Sequence, residues 1–128
     1  MRLWHQSLIS NLPRQQLLGQ HRECCALRGR GWGKTHSTVN YMFNYSPRRL
    51  YYYHKIVMHE MVKRGYIPDE KWQDPLYRGR NTDKFEVLPP ERRSDPIYPE
   101  HNDLYLNECL NNLEGKSIHI KTIYPAIQ

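Results

Sequence analysis

Three times along this chain a proline opens a helix-length run and a glycine closes it. The first run extends from Asn11 and Pro13 to Gly29. The second has Ser46 as a cap, Pro47 behind it and Gly65 at its stop; the third begins near Pro99 and ends at Gly115. Proline's fixed φ and missing N–H suit the first turn of a helix, and glycine suits the position just past the last. Apolar spacing inside the runs agrees. Leu17, Leu18, His21, Cys24 and Cys25 share one face of the first. Leu50, Tyr53, Val57 and Met61 make a stripe on the second, opposite Arg48, Lys55, His59 and Lys63. Leu106, Cys109, Leu110 and Leu113 do the packing on the third. Three amphipathic helices can bury one another's faces. The expected fold is therefore all-α: a compact single domain spanning residues 1–128, with three main helices, long irregular loops and an extended C-terminal tail.

Between Tyr66 and Tyr98 no period is sustained, and six prolines (68, 75, 89, 90, 96 and 99) lie in or beside the stretch. A loop this long is usually functional or loosely ordered. Lys84–Leu88 reads as a brief extended piece. The end of the chain alternates at Ile118, His119 and Ile120, then runs Ile123-Tyr124-Pro125, as a short strand or an extended arm.

With 38% hydrophobic residues, the core should be modest. No apolar run approaches the roughly 20 residues of a membrane span, and the terminus lacks the apolar stretch of a signal peptide; a cytoplasmic monomer is expected. The three cysteines, Cys24, Cys25 and Cys109, make no tidy disulfide set and read as reduced, partly buried thiols. Charge is unevenly placed. Residues 1–64 hold 11 Lys and Arg against 2 acids, and residues 65–128 hold 8 against 11. A basic half is the footprint of a polyanion partner, although basic faces also occur without one.

Arg28-Gly29-Arg30-Gly31-Trp32-Gly33-Lys34-Thr35 invites a phosphate-loop reading, but Arg28 stands where the motif's first glycine belongs, and a helix precedes it where a strand should. A flexible basic loop with an aromatic tip suits nucleic acid better: Arg28, Arg30 and Lys34 can meet phosphate while Trp32 stacks on or wedges beside a base. A plain surface loop with a buried tryptophan is the competing reading. His54 and His59 are five apart, the wrong spacing for one helical face, and no Cys-x-x-Cys accompanies them, so neither a metal site nor a cofactor is expected.

On the first helix, Arg22 and Glu23 sit mid-run. Glu23 falls opposite the apolar face, and its neighbours one turn away, Gly19 and Ala26, are small. The ordinary reading is a solvated pair; the other is a carboxylate with room beside it for a ligand or another backbone. The amino terminus is a second chemical group. An α-amine, with a pKa of about 7.7–8.0, is partly neutral at working pH. A neutral amine can attack a sugar carbon, expel the base and leave an imine. A nearby carboxylate can stabilise the cationic sugar and shuttle protons.

Met1-Arg2-Leu3, Leu8-Ile9-Ser10, Leu12, Gln15 and Arg22-Glu23, followed by His36-Ser37-Thr38 to Tyr41, Met61–Tyr66 and Ile97–Glu100, resemble in order and spacing the pyrimidine-dimer DNA glycosylase family known from phage. His-Arg-Glu-Cys-Cys and Gly-Trp-Gly-Lys look like a bacterial branch of it. The resemblance implies that the terminal amine of Met1 is the nucleophile, that Glu23 is its partner carboxylate, and that Arg22 holds the DNA backbone near a lesion. It also implies base flipping from double-stranded DNA and lyase action at the abasic site, with cyclobutane dimers as the family default. The pattern is broken in places. Arg2 is too large for the usual methionine removal, Ala26 replaces a family arginine, Gln16 replaces a histidine, and the aromatic, lysine-rich tail is reduced to Tyr124, Lys116 and Lys121. The expectation is a DNA glycosylase and abasic-site lyase with Met1 and Glu23 catalytic, meeting in a cleft opened by Gly19 and Ala26. DNA is then held by Arg2, Arg22, Arg28, Arg30, Trp32, Lys34, Arg48 and Lys55. The alternative is a non-catalytic helical protein that binds distorted duplex.

Overall fold

The computed structural model describes residues 2–34 and 38–120. Three α-helices, α1 (Arg14–Arg28), α2 (Pro47–Lys63) and α3 (Asp103–Glu114), are joined by irregular chain and by short 3-10 turns at Gln6–Asn11, Asn40–Asn44 and Glu70–Gln73. Among the described residues there is no strand, so the all-α expectation holds. The segment from Ile123 to Pro125 lies outside the described residues.

The punctuation works by different means at each end. Ser46 accepts the Arg48 N–H and Pro47 opens α2. Gly65 closes it in the left-handed region, φ 93°, with the Tyr66 N–H returning to the Met61 carbonyl. Gly29 has φ −90° instead, and what it supplies is space: a Cβ there would sit 2.9 Å from the Arg78 carbonyl oxygen. The third helix starts later than Pro99 suggests. Asn102 caps it by accepting the Tyr105 N–H, because Ile97, Tyr98 and His101 first dip into the core as irregular chain.

Helix α1 packs along α2, and the turns at Gln6–Asn11 and Asn40–Asn44 also rest on α2. Leu17, Cys24 and Leu27 of α1 join Leu50, Tyr53 and Val57 of α2 in one buried cluster, completed by Leu3, Leu8, Ile9 and by Leu106, Cys109 and Leu113 of α3. Full burial of each such leucine contributes roughly 1.5–3 kcal/mol.

The stretch from Tyr66 to Tyr98 follows a defined path because side chains of α1 and α2 satisfy its backbone. Tyr51 donates to the Gln73 carbonyl and Tyr52 to that of Glu91. Arg48 donates to the Leu88 and Pro89 carbonyls, and Arg49 donates to the Ile97 carbonyl while pairing with Glu91 at 3.0 Å. Arg78 returns to the carbonyls of Arg28 and Gly29. A chain without ladders still needs its buried polar groups paired, and here arginines do most of it. Lys84–Leu88 is irregular, tied through the Phe85 N–H to the Leu76 carbonyl.

Candidate active site

Glu23 lines a cavity of about 320 Å³ together with Arg2, Trp4, Thr38, Asn112 and Lys116. That volume falls within the ~300–1,000 Å³ typical of small-molecule sites. One wall is the amino-terminal segment, another Asn112 near the end of α3 and Lys116 two residues past it. The cleft is thus not opened by Gly19 and Ala26: Ala26 is exposed, and the open side of Gly19 faces the Arg22 guanidinium, 3.7 Å from where a Cβ would stand. Glu23 Oε2 is buried, and among the described residues it has no hydrogen-bond partner. A carboxylate oxygen left in that state favours whatever cation or donor enters the cavity. Two cations line the same cavity. Arg2 reaches over the Trp4 and Tyr105 rings and lies 3.6 Å from Glu108, and Lys116 sits over the Trp4 ring.

The amino-terminal segment is held by side chains from all three helices. Buried Gln20 of α1 accepts the Trp4 N–H at 2.7 Å and donates to the Arg2 carbonyl at 3.0 Å. Tyr53 of α2 donates to the Trp4 carbonyl at 2.6 Å, and Tyr105 of α3 donates to the Leu3 carbonyl. Met1 lies outside the described residues. Gln20, Tyr53, Tyr105 and Lys116 did not emerge as site residues from the sequence. The one available signal was Gln20 itself, a polar residue in the Leu17, Cys24, Leu27 row of α1.

The expected DNA-contacting residues fall into two groups. Arg22, Arg30, Lys34 and Lys55 are exposed, and Arg2 faces the cavity. Arg28 requires correction: it is 2% exposed and its guanidinium is spent internally, on the carbonyls of Trp72 (2.9 Å), Asp74 (2.7 Å) and Tyr77 (3.0 Å). Arg48 is likewise engaged with the Leu88 and Pro89 carbonyls. Trp32 is not at a free loop tip. The 29–34 stretch folds back on α1 through the Gly31 N–H and the Ala26 carbonyl, and the half-buried indole packs edge-on against Phe43 at 5.1 Å. On α2, His59 and Lys63 border a separate cavity of about 550 Å³ with His5, Gln6 and His101.

The structure also gathers His21, Cys25 and His54, whose ligand atoms lie within 4.8 Å of one another; the spacing of His54 and His59 gave no hint of this. Proton positions oppose a metal there. Arg28 can only donate, so at 3.0 Å it makes His54 Nδ1 an acceptor. His54 Nε2 then carries the hydrogen and donates to His21 Nδ1 at 2.8 Å. A metal-bound histidine has the reverse arrangement, its lone pair on the ion and its other N–H on an acceptor. Burial holds both histidines below their usual range, with Arg28 adding to it, and pushes the Cys25 thiol up to about 12. The trio is an uncharged link between α1 and α2.

No helix among the described residues is long and apolar enough to cross a membrane. No curated protein and no solved structure matches the chain. The profile of the pyrimidine dimer DNA glycosylase family matches residues 1–74, the part that carries the amino-terminal segment, α1 with Glu23, and α2. The chain is a member of the pyrimidine dimer DNA glycosylase family, and so of a family of DNA repair enzymes.

Proposed function

We propose that this glycosylase removes a damaged pyrimidine by attack of the Met1 α-amine and then cleaves the strand as an abasic-site lyase. The observation that carries the reading is the placement of Glu23. Glu23 lines a cavity walled also by Arg2, the residue bonded to Met1, and one of its carboxylate oxygens is buried without a hydrogen-bond partner among the described residues. The substrate is double-stranded DNA carrying a damaged pyrimidine, a cyclobutane dimer in the first instance. The target nucleotide is flipped out of the stack to reach the cavity.

The amine nitrogen bonds to the sugar carbon that bears the base. The glycosidic bond breaks, and the base leaves with the bonding electron pair and takes up a proton. Glu23 stabilises the cationic sugar. A proton delivered to the ring oxygen opens the ring and leaves a protonated imine. Loss of a proton from the adjacent carbon then expels the 3′ phosphate. The cations Arg2 and Lys116 hold the phosphates flanking the flipped nucleotide.

Borohydride reduction in the presence of an abasic-site duplex tests the reading. An imine is reduced to a permanent protein–DNA cross-link, and acetylating the amino terminus abolishes it while DNA affinity stays nearly intact. Acetylation removes the lone pair that attacks. A cross-link that still forms with a blocked terminus assigns the attack to a lysine and overturns the proposal. Intact mass of the untagged protein identifies the residue that carries the amine.

A further inference from the structure

We infer that Gln20 is the positioning residue that sets the register of the amino-terminal segment, and with it the attacking amine, against Glu23; this rests on the amine mechanism proposed above. Gln20 is 1% exposed and occupies a core row that is otherwise Leu17, Cys24 and Leu27. A buried carboxamide there is costly unless both of its ends are bonded. Both are, and both bonds go to the backbone of the same segment: Oε1 takes the Trp4 N–H and Nε2 gives to the Arg2 carbonyl. The amide therefore brackets Leu3 as a neighbouring strand would and fixes the segment's position along α1.

Gln20 and Glu23 are three residues apart on one helix, an axial offset of about 4.5 Å. The clamp and the carboxylate are rigidly related, so the hold on the Arg2 carbonyl fixes the register of Arg2 relative to Glu23. The Tyr53 hydroxyl of α2, whose one hydrogen goes to the Trp4 carbonyl, lies 3.0 Å from Gln20 Oε1. Anchoring of the segment does not depend on this amide, because Leu3 and Trp4 are themselves buried in the core. What the amide adds is register. A misplacement of about 1 Å between reacting groups costs on the order of 10²-fold in rate.

The test is single-turnover borohydride trapping on an abasic-site duplex at saturating DNA, with untagged wild type and Gln20→Met. Gln20→Met keeps the volume and removes both bonds. The expected result is a trapping rate at least tenfold lower, with the DNA dissociation constant within about twofold of wild type. Gln20→Glu keeps the acceptor for the Trp4 N–H and loses the donor to the Arg2 carbonyl; it should recover part of the rate, and it decides the matter alone if Gln20→Met does not fold. Wild-type trapping by a folded variant overturns the role, as does loss of DNA affinity in step with trapping, which marks Gln20 as structural only. Wild type that fails to trap removes the amine mechanism and the Gln20 role with it, whereas wild type that traps beside an unaffected variant removes the Gln20 role alone.

Discussion

The Arg28 guanidinium donates to His54 Nδ1 at 3.0 Å and so decides, from α1, which nitrogen of a buried histidine on α2 carries its hydrogen. The same group holds three backbone carbonyls of the 72–77 stretch and lies over the Trp72 ring at 4.9 Å. Arg28→Met should therefore be among the most destabilising single changes in the chain. Buried acceptors left unsatisfied cost roughly 1–3 kcal/mol each, so a loss of about 3 kcal/mol or more is expected in urea denaturation. Arg28→Lys should recover little, because one ammonium cannot span a fork of carbonyls. A near-wild-type midpoint for Arg28→Met would return Arg28 to the candidate DNA contacts.

Glu23→Gln keeps the size of the side chain and removes its charge and proton-transfer capacity. Strand cleavage of an abasic-site duplex should fall by ~10²–10⁴-fold, with folding and DNA binding preserved. Cleavage within a few-fold of wild type would remove Glu23 from the mechanism.

Stability should drop in mild acid. Burial holds His54 well below its usual range and lowers His21 and His5; it brings His101, with His5 beside it, down to about 3. Their folded values are depressed below the unfolded value of about 6.5. The stabilising contribution is thus complete above pH 6.5 and is lost as pH falls, because the unfolded chain takes up protons the folded one refuses. His101 alone accounts for about 2 kcal/mol between pH 7 and pH 5, at 1.36 kcal/mol per unit. Denaturation midpoints at the two pH values measure it, and equal midpoints would contradict the buried, neutral assignment.

DNA binding should be strongly salt-dependent through Arg22, Arg30 and Lys34, all exposed. Each phosphate contact contributes about −0.9 to the slope of log affinity against log salt. Arg22→Ala and Lys34→Ala should each make the slope shallower by about 1. An unchanged slope in either variant would place that residue off the DNA.

The parts legible from sequence are those that depend on neighbours along the chain. Periodicity and terminal residues located α1 and α2 nearly to the residue, since capping and a 3.6-residue stripe are local. Glu23 was legible as an unusual carboxylate, through the family resemblance and its place off the apolar face. The surroundings of Glu23 were not legible. Its cavity is completed by Trp4, Asn112 and Lys116, which come from opposite ends of the chain, and no spacing rule joins residues that distant. Arg28 shows the limit most clearly. In sequence it stands in a run of arginines, glycines and a tryptophan and reads as a DNA contact. In the fold it is the last residue of α1, facing inward beneath the 72–77 stretch, because that stretch has no ladder of its own and its carbonyls need a donor. Local sequence determined which residues are helical. Only the tertiary structure decided which charges face solvent and which hold the backbone, because that depends on which unpaired polar groups packing brings within reach.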